Sequence, residues 1–249
     1  NITNLPFQPD MVTVKRSGAT GGVFRTADHS SDTTSYFAAT ADLANSIQSL
    51  RSDGFQVGTD ATVNTAANVY WYFGFKDGSN FTTNTYTGTG SANTISTVGF
   101  QSNLLWVKAA TAVRGVERTS DGATDSALPF INVGAVTGAI TGITSTGFSV
   151  GTATETNTNG TTYRYVGWRK TITISGTANG NSGATIKVAY NGTLQTPTTT
   201  ISAGTWSLDS GLPTASDVVT VWVDGVADSL ESTASTLYSS GNITGMVLN

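Results

Sequence analysis

The sequence has no cysteine and a single histidine, His29, among its 249 residues. Without cysteine there is no disulfide framework, no thiolate metal site and no cysteine nucleophile. One imidazole cannot supply a histidine-rich metal centre within one chain. The composition therefore excludes a thiolate or histidine-rich metal site, and we expect no cofactor.

Charge is also scarce, because only 11% of the residues are charged and the net charge is −4. An ordinary soluble domain carries roughly 25%. Twelve lysines and arginines argue against binding a nucleic-acid backbone, which needs clustered cations. The longest compact apolar run, Val69–Phe75, is far shorter than the roughly 20 residues of a membrane helix. No secretory signal is visible. We therefore expect neither a nucleic-acid nor a membrane partner.

The chain is rich instead in Thr, Ser, Asn and Gly, with 28 glycines. Threonine is β-branched and favours strands, while Gly and Asn favour tight turns. A hydrophobic fraction of 38% is enough to supply a core. The composition predicts an all-β protein.

An internal repeat organises two thirds of the chain. When the sequence is shifted by 93 residues, 1–77 aligns with 94–170 without a gap, and 25 of the 77 positions are identical. The segment Gly54–Thr59 aligns in this way with Gly147–Thr152. We predict three tandem antiparallel β-sandwich domains: copy one (1–77), copy two (78–170) and a third unit (171–249).

The repeat shows each strand twice. Val12 and Val14 align with Leu105 and Val107, and side chains two apart share one face of a strand. These four residues are predicted to face the core. The segment Val69–Phe75 is apolar on both faces, which favours a central strand covered on both sides.

Other segments are less regular. Ala38–Leu50 is predicted to form a short helix at most. Phe81–Thr87 alternates well enough to be a lead-in strand of copy two, and residues 1–77 contain no counterpart. If this strand belongs to the domain, copy one is incomplete alone, which indicates either cleavage upstream or a strand supplied by a neighbouring chain. The chain starts at Asn1 without an initiator Met, so we expect it to be processed, trimmed or incompletely represented.

The third unit contains four predicted strands: Thr171–Ile174, Thr185–Val188, Val218–Val223 and Ile243–Leu248. Asn191-Gly192 and Asp224-Gly225 are typical of hairpin turns. The pattern suits a small Greek-key sandwich.

The repeat resembles a β-domain of tailed-phage structural proteins. The resemblance is carried by Tyr86–Gly90 and Gly99–Lys108 in copy two and by Phe7–Asp10, Asp53–Phe55 and Phe73–Lys76 in copy one. Residues 171–249 are similar to immunoglobulin-like or transthyretin-like modules, through Ser175–Thr177, Asp217–Val221 and Ile243–Met246. Both resemblances imply a virion-surface part, and neither implies catalysis.

Catalytic residues are not indicated by any spacing. The only glutamates are Glu117, Glu155 and Glu231, and no two of them occupy equivalent repeat positions. A glycosidase needs two carboxylates across the scissile bond. We therefore predict that the protein is not an enzyme. His29, in a Ser/Asp-rich loop, is interpreted as a surface residue.

One polar set occurs in both copies: Arg25, Asp28 and Asp32, repeated as Arg118, Asp121 and Asp125. One interpretation is a cation site in each loop. The other is an Arg–Asp bridge with turn-stabilising interactions, which we favour because two carboxylates leave most of the six to eight oxygen positions around calcium unfilled.

Exposed tryptophans are a third kind of candidate. Trp71, Trp106, Trp206 and Trp222 are each able to stack on sugars if exposed, although core packing is commoner for large aromatics in strands. Trp168 and Trp222 are predicted to lie in the core. Trp71 is the predicted interface residue, because its repeat mate is Arg164.

The expected function is that of a non-enzymatic structural protein of a phage virion surface, either a capsid decoration or a head or tail fibre component. Its expected partners are other virion proteins of the capsid or tail, further copies of itself, and host-surface glycans. The alternative is a secreted bacterial surface protein, such as an adhesin, a filament subunit or a carbohydrate-binding module. An SDS-resistant ladder on heating favours a strand-exchanged filament.

Overall fold

The computed structural model describes residues 1–18, 21–179, 182–227 and 231–249. It divides into two compact units, Asn1–Arg169 and Lys170–Asn249, and both repeat copies lie in the first. Strands make up 48% of the chain and helix 2%, in several antiparallel sheets. The predicted all-β sandwich fold is confirmed. The boundary between copies one and two as separate domains stays a prediction.

Copy one has six strands: β1 (Met11–Arg16), β2 (Val23–Thr26), β3 (Ser35–Tyr36), β4 (Ile47–Arg51), β5 (Gly54–Val57) and β6 (Tyr70–Phe75). Four of them form an antiparallel sheet in the order β3-β2-β1-β6, and β4 pairs with β5 in a second layer. The segment Ala38–Leu50 forms bends, one bridge and most of β4, so the short helix does not form. Its Leu43 exchanges two backbone hydrogen bonds with Thr34, at 2.9 and 3.1 Å. This pairing uses the backbone groups that a helix would need.

Copy two has eight strands and one helical turn: β7 (Phe81–Thr87), β8 (Asn93–Ile95), β9 (Ser102–Ala109), β10 (Val116–Thr119), β11 (Leu128–Pro129), β12 (Ile140–Ile143), β13 (Phe148–Val150), α1 (Thr154–Asn157) and β14 (Thr162–Arg169). Its sheets have the orders β11-β10-β9-β14-β7 and β12-β13-β8. The predicted lead-in strand is confirmed as β7, which pairs antiparallel with β14 over seven residues.

The two copies repeat the same arrangement of strands. Strands β1 to β6 have counterparts 93 residues later, namely β9 to β14. The counterpart of β8 is reduced to a single bridge between Ile2 and Phe55. No segment of residues 1–77 corresponds to β7. Copy two therefore has one more strand in its main sheet than copy one.

The predicted core face is confirmed in both copies. Val12, Leu105 and Val107 are fully buried, and Val14 is only 3% exposed. They pack against residues of the second layer, such as Phe55 in copy one. Alternation along β1 and β9 therefore places the apolar residues between the two layers of each copy.

The opposite faces of the two main sheets pack against each other through a largely aromatic cluster. We call it the inter-copy cluster; its members are Met11, Phe24, Phe37, Phe75, Phe81, Trp106, Val166 and Trp168. The ring centroids of Phe37 and Trp106 lie 5.3 Å apart, and Phe75 stacks on Phe81 at 5.0 Å. The amide of Gly115 also donates to the carbonyl of Phe37 at 3.0 Å. The copies therefore share part of their core.

The second unit has eight strands: β15 (Thr171–Ala178), β16 (Thr185–Tyr190), β17 (Thr193–Leu194), β18 (Thr199–Thr200), β19 (Thr205–Gly211), β20 (Val218–Asp224), β21 (Thr233–Leu237) and β22 (Ile243–Leu248). One sheet has the order β19-β15-β22, and the other has the order β17-β16-β20-β21 with β18 also on β16. The four strands predicted from the sequence are confirmed within β15, β16, β20 and β22. The last strand runs parallel to β15.

The two predicted hairpin turns in this unit differ in outcome. Asn191 and Gly192 have φ of 48° and 81°, and a type I′ turn needs positive φ at both central residues. The prediction of a tight turn at Asp224-Gly225 is wrong. The register pairs Trp222 with Thr233, which leaves a longer connection between β20 and β21. Part of that connection, 228–230, lies outside the described residues.

Candidate functional site

The main sheet of copy one ends in β6, which exposes an unusual number of aromatic side chains. Trp71 is 61% exposed, Phe73 45% and Tyr72 42%. Trp71 and Phe73 lie on one face of the strand and Tyr72 lies on the other, because neighbouring side chains alternate. We call Trp71, Tyr72 and Phe73, together with the free edge of β6, the β6 edge.

The prediction of a central strand at Val69–Phe75 is wrong for copy one. Strand β6 is the last strand of its sheet, since β1 pairs with it on one side only. In copy two the equivalent strand β14 lies between β9 and β7. There Arg164, Tyr165 and Val166 are 6%, 0% and 0% exposed. The apolar residues of this strand therefore suit the central position that the equivalent strand β14 occupies between β9 and β7.

Within the part of the chain that the structure describes, no strand pairs with the outer side of β6. The amide of Ser17 donates to the carbonyl of Val69 at 2.9 Å. Hydrogen-bonded positions alternate along an antiparallel pair, so the odd-numbered residues of β6 bond to β1. The amides and carbonyls of Tyr70, Tyr72 and Gly74 consequently point away from β1. A free row of this kind is a template for another strand.

A cavity of about 280 Å³ lies behind this edge, on the inner face of the sheet. Its lining includes Phe55, Val63, Tyr70 and Tyr72. Tyr70 is held in place by two hydrogen bonds of its hydroxyl, which accepts from the amide of Thr65 at 2.7 Å and donates to the carbonyl of Ala61 at 3.3 Å.

Tryptophans lie in three kinds of environment. Trp71 is exposed, and Trp106 and Trp168 are half-buried in the inter-copy cluster. Trp206 is buried at 4% exposure in the core of the second unit, which leaves it unable to stack on a sugar. The core prediction for Trp222 is wrong: the residue is half-buried on the outer face of β20, because Val221 and Val223 occupy the inner face.

The repeated Arg/Asp loops are held mainly by arginine-to-backbone hydrogen bonds. Arg25 donates to the carbonyls of Thr33, Ser31, His29 and Ile47. Its mate Arg118 likewise donates to the carbonyls of Ile140, Ser126 and Gly122. Both arginines are 7% exposed. They stabilise the loop backbone in each copy.

One aspartate in each loop accepts a hydrogen bond from a backbone amide. Asp32 accepts from the amide of Asn45 at 3.2 Å, and its mate Asp125 accepts from the amide of Gly138 at 2.7 Å. Among the described residues, no group of three or more His, Asp or Glu side chains is placed to hold a metal ion. Both bonds join residues 13 positions apart, so they connect two loop segments, and the local turn interactions of the favoured interpretation stay a prediction.

His29 is buried at 5% exposure, so its interpretation as a surface residue is wrong. The sequence shows only a polar loop, but the loop folds back over the end of β2. The ring Nδ1 accepts from the amide of Thr26 at 3.0 Å, and Nε2 lies 3.0 Å from Ser35 Oγ. The Ser35 hydroxyl in turn donates to Asp42 at 2.7 Å, and Asp42 forms an ion pair with Arg164.

This network has the wrong order of groups for nucleophilic catalysis. A backbone amide is only a donor, so the lone pair of His29 lies on Nδ1 and its proton on Nε2. His29 therefore donates to Ser35, and Ser35 donates to Asp42. In a catalytic triad the imidazole accepts the serine proton and the carboxylate contacts the imidazole. The network instead links copy one to copy two through Arg164.

We predict that acid destabilises the protein through His29. Burial, together with the nearby Arg164 and Arg25, lowers the pKa of His29 from 6.5 to about 2. The unfolded chain takes up this proton below pH 6.5 and the folded chain does not. The contribution of His29 to the free energy of unfolding is therefore fully present above pH 6.5. It falls as the pH is lowered, by about 3 kcal/mol at pH 4.5.

The measurement is urea unfolding of the wild type and of His29→Gln between pH 7.5 and 4.5. The glutamine is neutral throughout, so the difference in unfolding free energy between the two proteins should shrink by about 3 kcal/mol on acidification. Parallel pH profiles would contradict the prediction.

The comparisons with known proteins give a family but no activity. A family model described as a domain of unknown function, DUF7483, matches residues 76–245, about two thirds of the chain. The chain belongs to the DUF7483 family. No curated protein and no solved structure matches it.

The DUF7483 match starts at Lys76, directly after β6, and ends inside β22. It therefore covers copy two and most of the second unit, whereas the β6 edge lies outside it. Among the described residues, no helix has the length and apolar character needed to cross a membrane.

Proposed function

We propose that this DUF7483 protein is a non-enzymatic structural protein of a phage virion surface. It serves as a capsid decoration or as a head or tail fibre component, and it assembles with other virion proteins and with further copies of itself. The observation that carries the proposal is the β6 edge, an exposed aromatic strand edge on a tandem sandwich. Its location is the virion surface.

The β6 edge has the properties of an assembly surface. Trp71, Tyr72 and Phe73 are contiguous and apolar, and exposed apolar patches on otherwise polar proteins mark sites of interaction. Soluble proteins usually protect an edge strand with charge, proline or a covering loop. Strand β6 contains no charged residue and no proline. These properties make the β6 edge a surface suited to association.

The phage assignment rests on the sequence motifs. Tyr86–Gly90 and Gly99–Lys108 resemble the repeated β-domain of tailed-phage structural proteins. The structure supports the proposal by arranging both motif-bearing copies as sandwiches in one compact unit. A rigid exterior protein with short strands and little charge suits a particle surface.

The experiment is quantitative mass spectrometry of density-purified particles from the source culture. Copy number near that of the major capsid protein supports a head decoration, and a few copies per particle support a tail or fibre component. Absence from particles, with abundance in the cell-surface fraction, would overturn the virion proposal.

The same assay tests the role of the β6 edge. We expect the double variant Trp71→Ser, Phe73→Ser to be incorporated at least tenfold less per particle, because it removes two exposed apolar anchors of the kind that dominate interfaces. Leu194→Ser is the matched control, since Leu194 is 55% exposed but lies in the second unit. Equal incorporation of both variants would contradict assembly through this edge.

A bacterial surface adhesin, filament subunit or carbohydrate-binding module is the second candidate. It is favoured by an open groove of about 410 Å³ lined by Trp222, Thr220, Asp224, Glu231 and Thr233. An aromatic face beside carboxylates is the chemistry of sugar recognition. Glycan-array binding that is lost in Trp222→Ala and kept in Trp71→Ala would support this candidate.

A further inference from the structure

We propose that copy two contains a binding site for a neutral imidazole ring, in a pocket beside β10 and β11. The pocket has a volume of about 180 Å³, and its lining includes Glu117, Arg118, Thr119, Gly122 and Leu128. We call it the Glu117 pocket. The virion role proposed above does not depend on this site.

Copy one holds an imidazole ring at the equivalent position, because His29 aligns with Gly122. The ring of His29 meets Phe24 edge to face, with centroids 6.0 Å apart. Its Nδ1 accepts from the amide of Thr26 at 3.0 Å, and its Nε2 lies 3.0 Å from Ser35 Oγ. With 5% exposure, the ring fills the space between these residues.

In copy two the surroundings of this ring are present but the ring is missing. The three residues that contact the His29 ring align with Glu117, Thr119 and Leu128, and all three line the Glu117 pocket. A Cβ added at Gly122 would lie 3.4 Å from Thr119 Oγ1, so a side chain there would begin at the pocket wall. The pocket therefore occupies the position that the His29 ring fills in copy one.

The polar groups of the pocket match the two nitrogens of a neutral imidazole. The amide of Ser120 donates to the carbonyl of Asn103 in the direction of β9. Hydrogen-bonded positions alternate along a strand, so the amide of Thr119 points the other way, as the amide of Thr26 does. It offers a donor to a ring nitrogen with a lone pair, and the Glu117 carboxylate offers an acceptor to a ring N–H. A neutral imidazole carries one acceptor and one donor in a single ring.

The pocket is large enough for such a ring and has a fixed wall. A cavity of roughly 150 Å³ accepts benzene, so this pocket has room for a five-membered ring. Arg118, which is 7% exposed, is held by hydrogen bonds to the carbonyls of Ile140, Ser126 and Gly122. Its Nε has no hydrogen-bond partner among the described residues. A polar occupant beside it accounts for this buried and unpaired donor.

The ring belongs to another molecule and not to a second copy of this chain. His29 is the only histidine of the sequence, and it is buried within its own copy. Two sources share the required chemistry, namely a free imidazole compound and a histidyl side chain of a different protein. Leu128 is 53% exposed beside the pocket, which leaves the site open to solvent for either source.

The experiment is a titration of the untagged full chain with imidazole at about pH 8, where the ring is neutral. Backbone amide signals are followed by NMR. We expect saturable shifts confined to residues 117–122 and to the neighbouring residues 126–128. A dissociation constant on the order of 1 mM is expected for a ligand of this size.

Two variants test the position of the ring. Gly122→His should abolish the shifts, because its own imidazole occupies the pocket as His29 does in copy one. Gly134→His is the matched control and should leave them unchanged, since nothing lies within 4 Å of a Cβ at Gly134. Unaltered imidazole binding by Gly122→His would overturn the proposal.

A third variant tests the chemistry of recognition. Glu117→Gln should weaken imidazole binding at least about tenfold, because a hydrogen bond to a charged group is lost. The same variant should bind 1-methylimidazole as weakly as the wild type does, because this probe has no N–H to donate. Equal affinity of Glu117→Gln and the wild type for imidazole would contradict the assigned role of Glu117.

His29→Gly provides an internal positive control, because it opens the equivalent space in copy one. It should show a second set of imidazole shifts, at residues 24–29, and regain thermal stability as imidazole is added. The expected number of sites is therefore two in this variant, one in the wild type and none in Gly122→His. If His29→Gly does not fold, the wild type and Gly122→His still decide between one site and none.

Histidine blocked at both ends, as its acetyl methylamide, separates the two sources. Binding at least as tight as that of imidazole assigns the pocket to a histidyl side chain, whereas binding of imidazole alone assigns it to a free compound. Shifts that do not saturate, or that scatter over the surface, would overturn the site for both sources. Absence of the protein from phage particles would remove only the proposed virion function.

Discussion

Asp42→Ala is expected to destabilise the first unit by about 3–5 kcal/mol, because it leaves a buried positive charge without its partner. The Asp42 and Arg164 side chains are 9% and 7% exposed and form an ion pair. Burial lowers the pKa of the nearby Lys108 to about 8, although Asp42 acts to raise it and Arg164 to lower it. Removing Asp42 therefore leaves Arg164 and Lys108 repelling each other in the same region.

The measurement is urea unfolding of the full chain, followed by hydrogen exchange in β9 and β14. The control is Asp224→Ala, which breaks the Lys187–Asp224 pair of 2.7 Å in the second unit. Those side chains are 31% and 40% exposed, so the cost should stay below about 1 kcal/mol. A double variant, Asp42→Ala with Arg164→Met, should recover most of the loss. A cost of under 1 kcal/mol for Asp42→Ala would contradict the role of this pair.

Gly147→Ala is expected to cost about 3 kcal/mol, because a side chain there collides with backbone. A Cβ at Gly147 would lie 1.9 Å from the carbonyl oxygen of Ile95, in the strand that pairs with β13. Either β8 or β13 must move, and both contribute to the core of copy two. A Cβ at Gly54, the equivalent position in copy one, would lie 2.0 Å from the carbonyl oxygen of Ile2.

The comparison variants separate this collision from a general effect of losing glycine. Gly142→Ala should change the unfolding free energy by less than about 0.5 kcal/mol, because nothing lies within 4 Å of its added Cβ. Gly54→Ala should also be costly, because its Cβ would meet the carbonyl of Ile2 and its φ of 156° is one that side chains rarely adopt. Equal costs for Gly147→Ala and Gly142→Ala, from denaturant midpoints, would refute the explanation.

Much of the strand arrangement was predictable because the repeat gives each strand two independent sequences. The lead-in strand Phe81–Thr87 was predicted with the bounds that the structure shows. The core face was predictable from Val12, Val14 and their mates, since alternation is a local property of strands. Within the β6 edge, Trp71 was predicted to be an interface residue, because Arg164 occupies the equivalent position of the repeat.

The rest of the candidate site was not predictable in the same way. The shape of the cavity behind Tyr70 depends on rings from β5 and β6, which only the folded chain brings together. The buried state of His29 depends on Ser35, Asp42 and Arg164, which come together only when copy two packs against copy one. Trp222 was predicted to lie in the core but is half-buried on the outer face of β20, because a one-residue register decides which face of a strand meets the core.

The sequence by itself determined the all-β class, the duplicated unit and the strands within it, because threonine content, turn residues and period-two alternation act over a few neighbouring residues. Only the tertiary structure decided that the same apolar strand is central as β14 and an edge as β6. Pairing partners come from distant parts of the chain, so one strand pattern has different exposure wherever a neighbouring strand is present or missing.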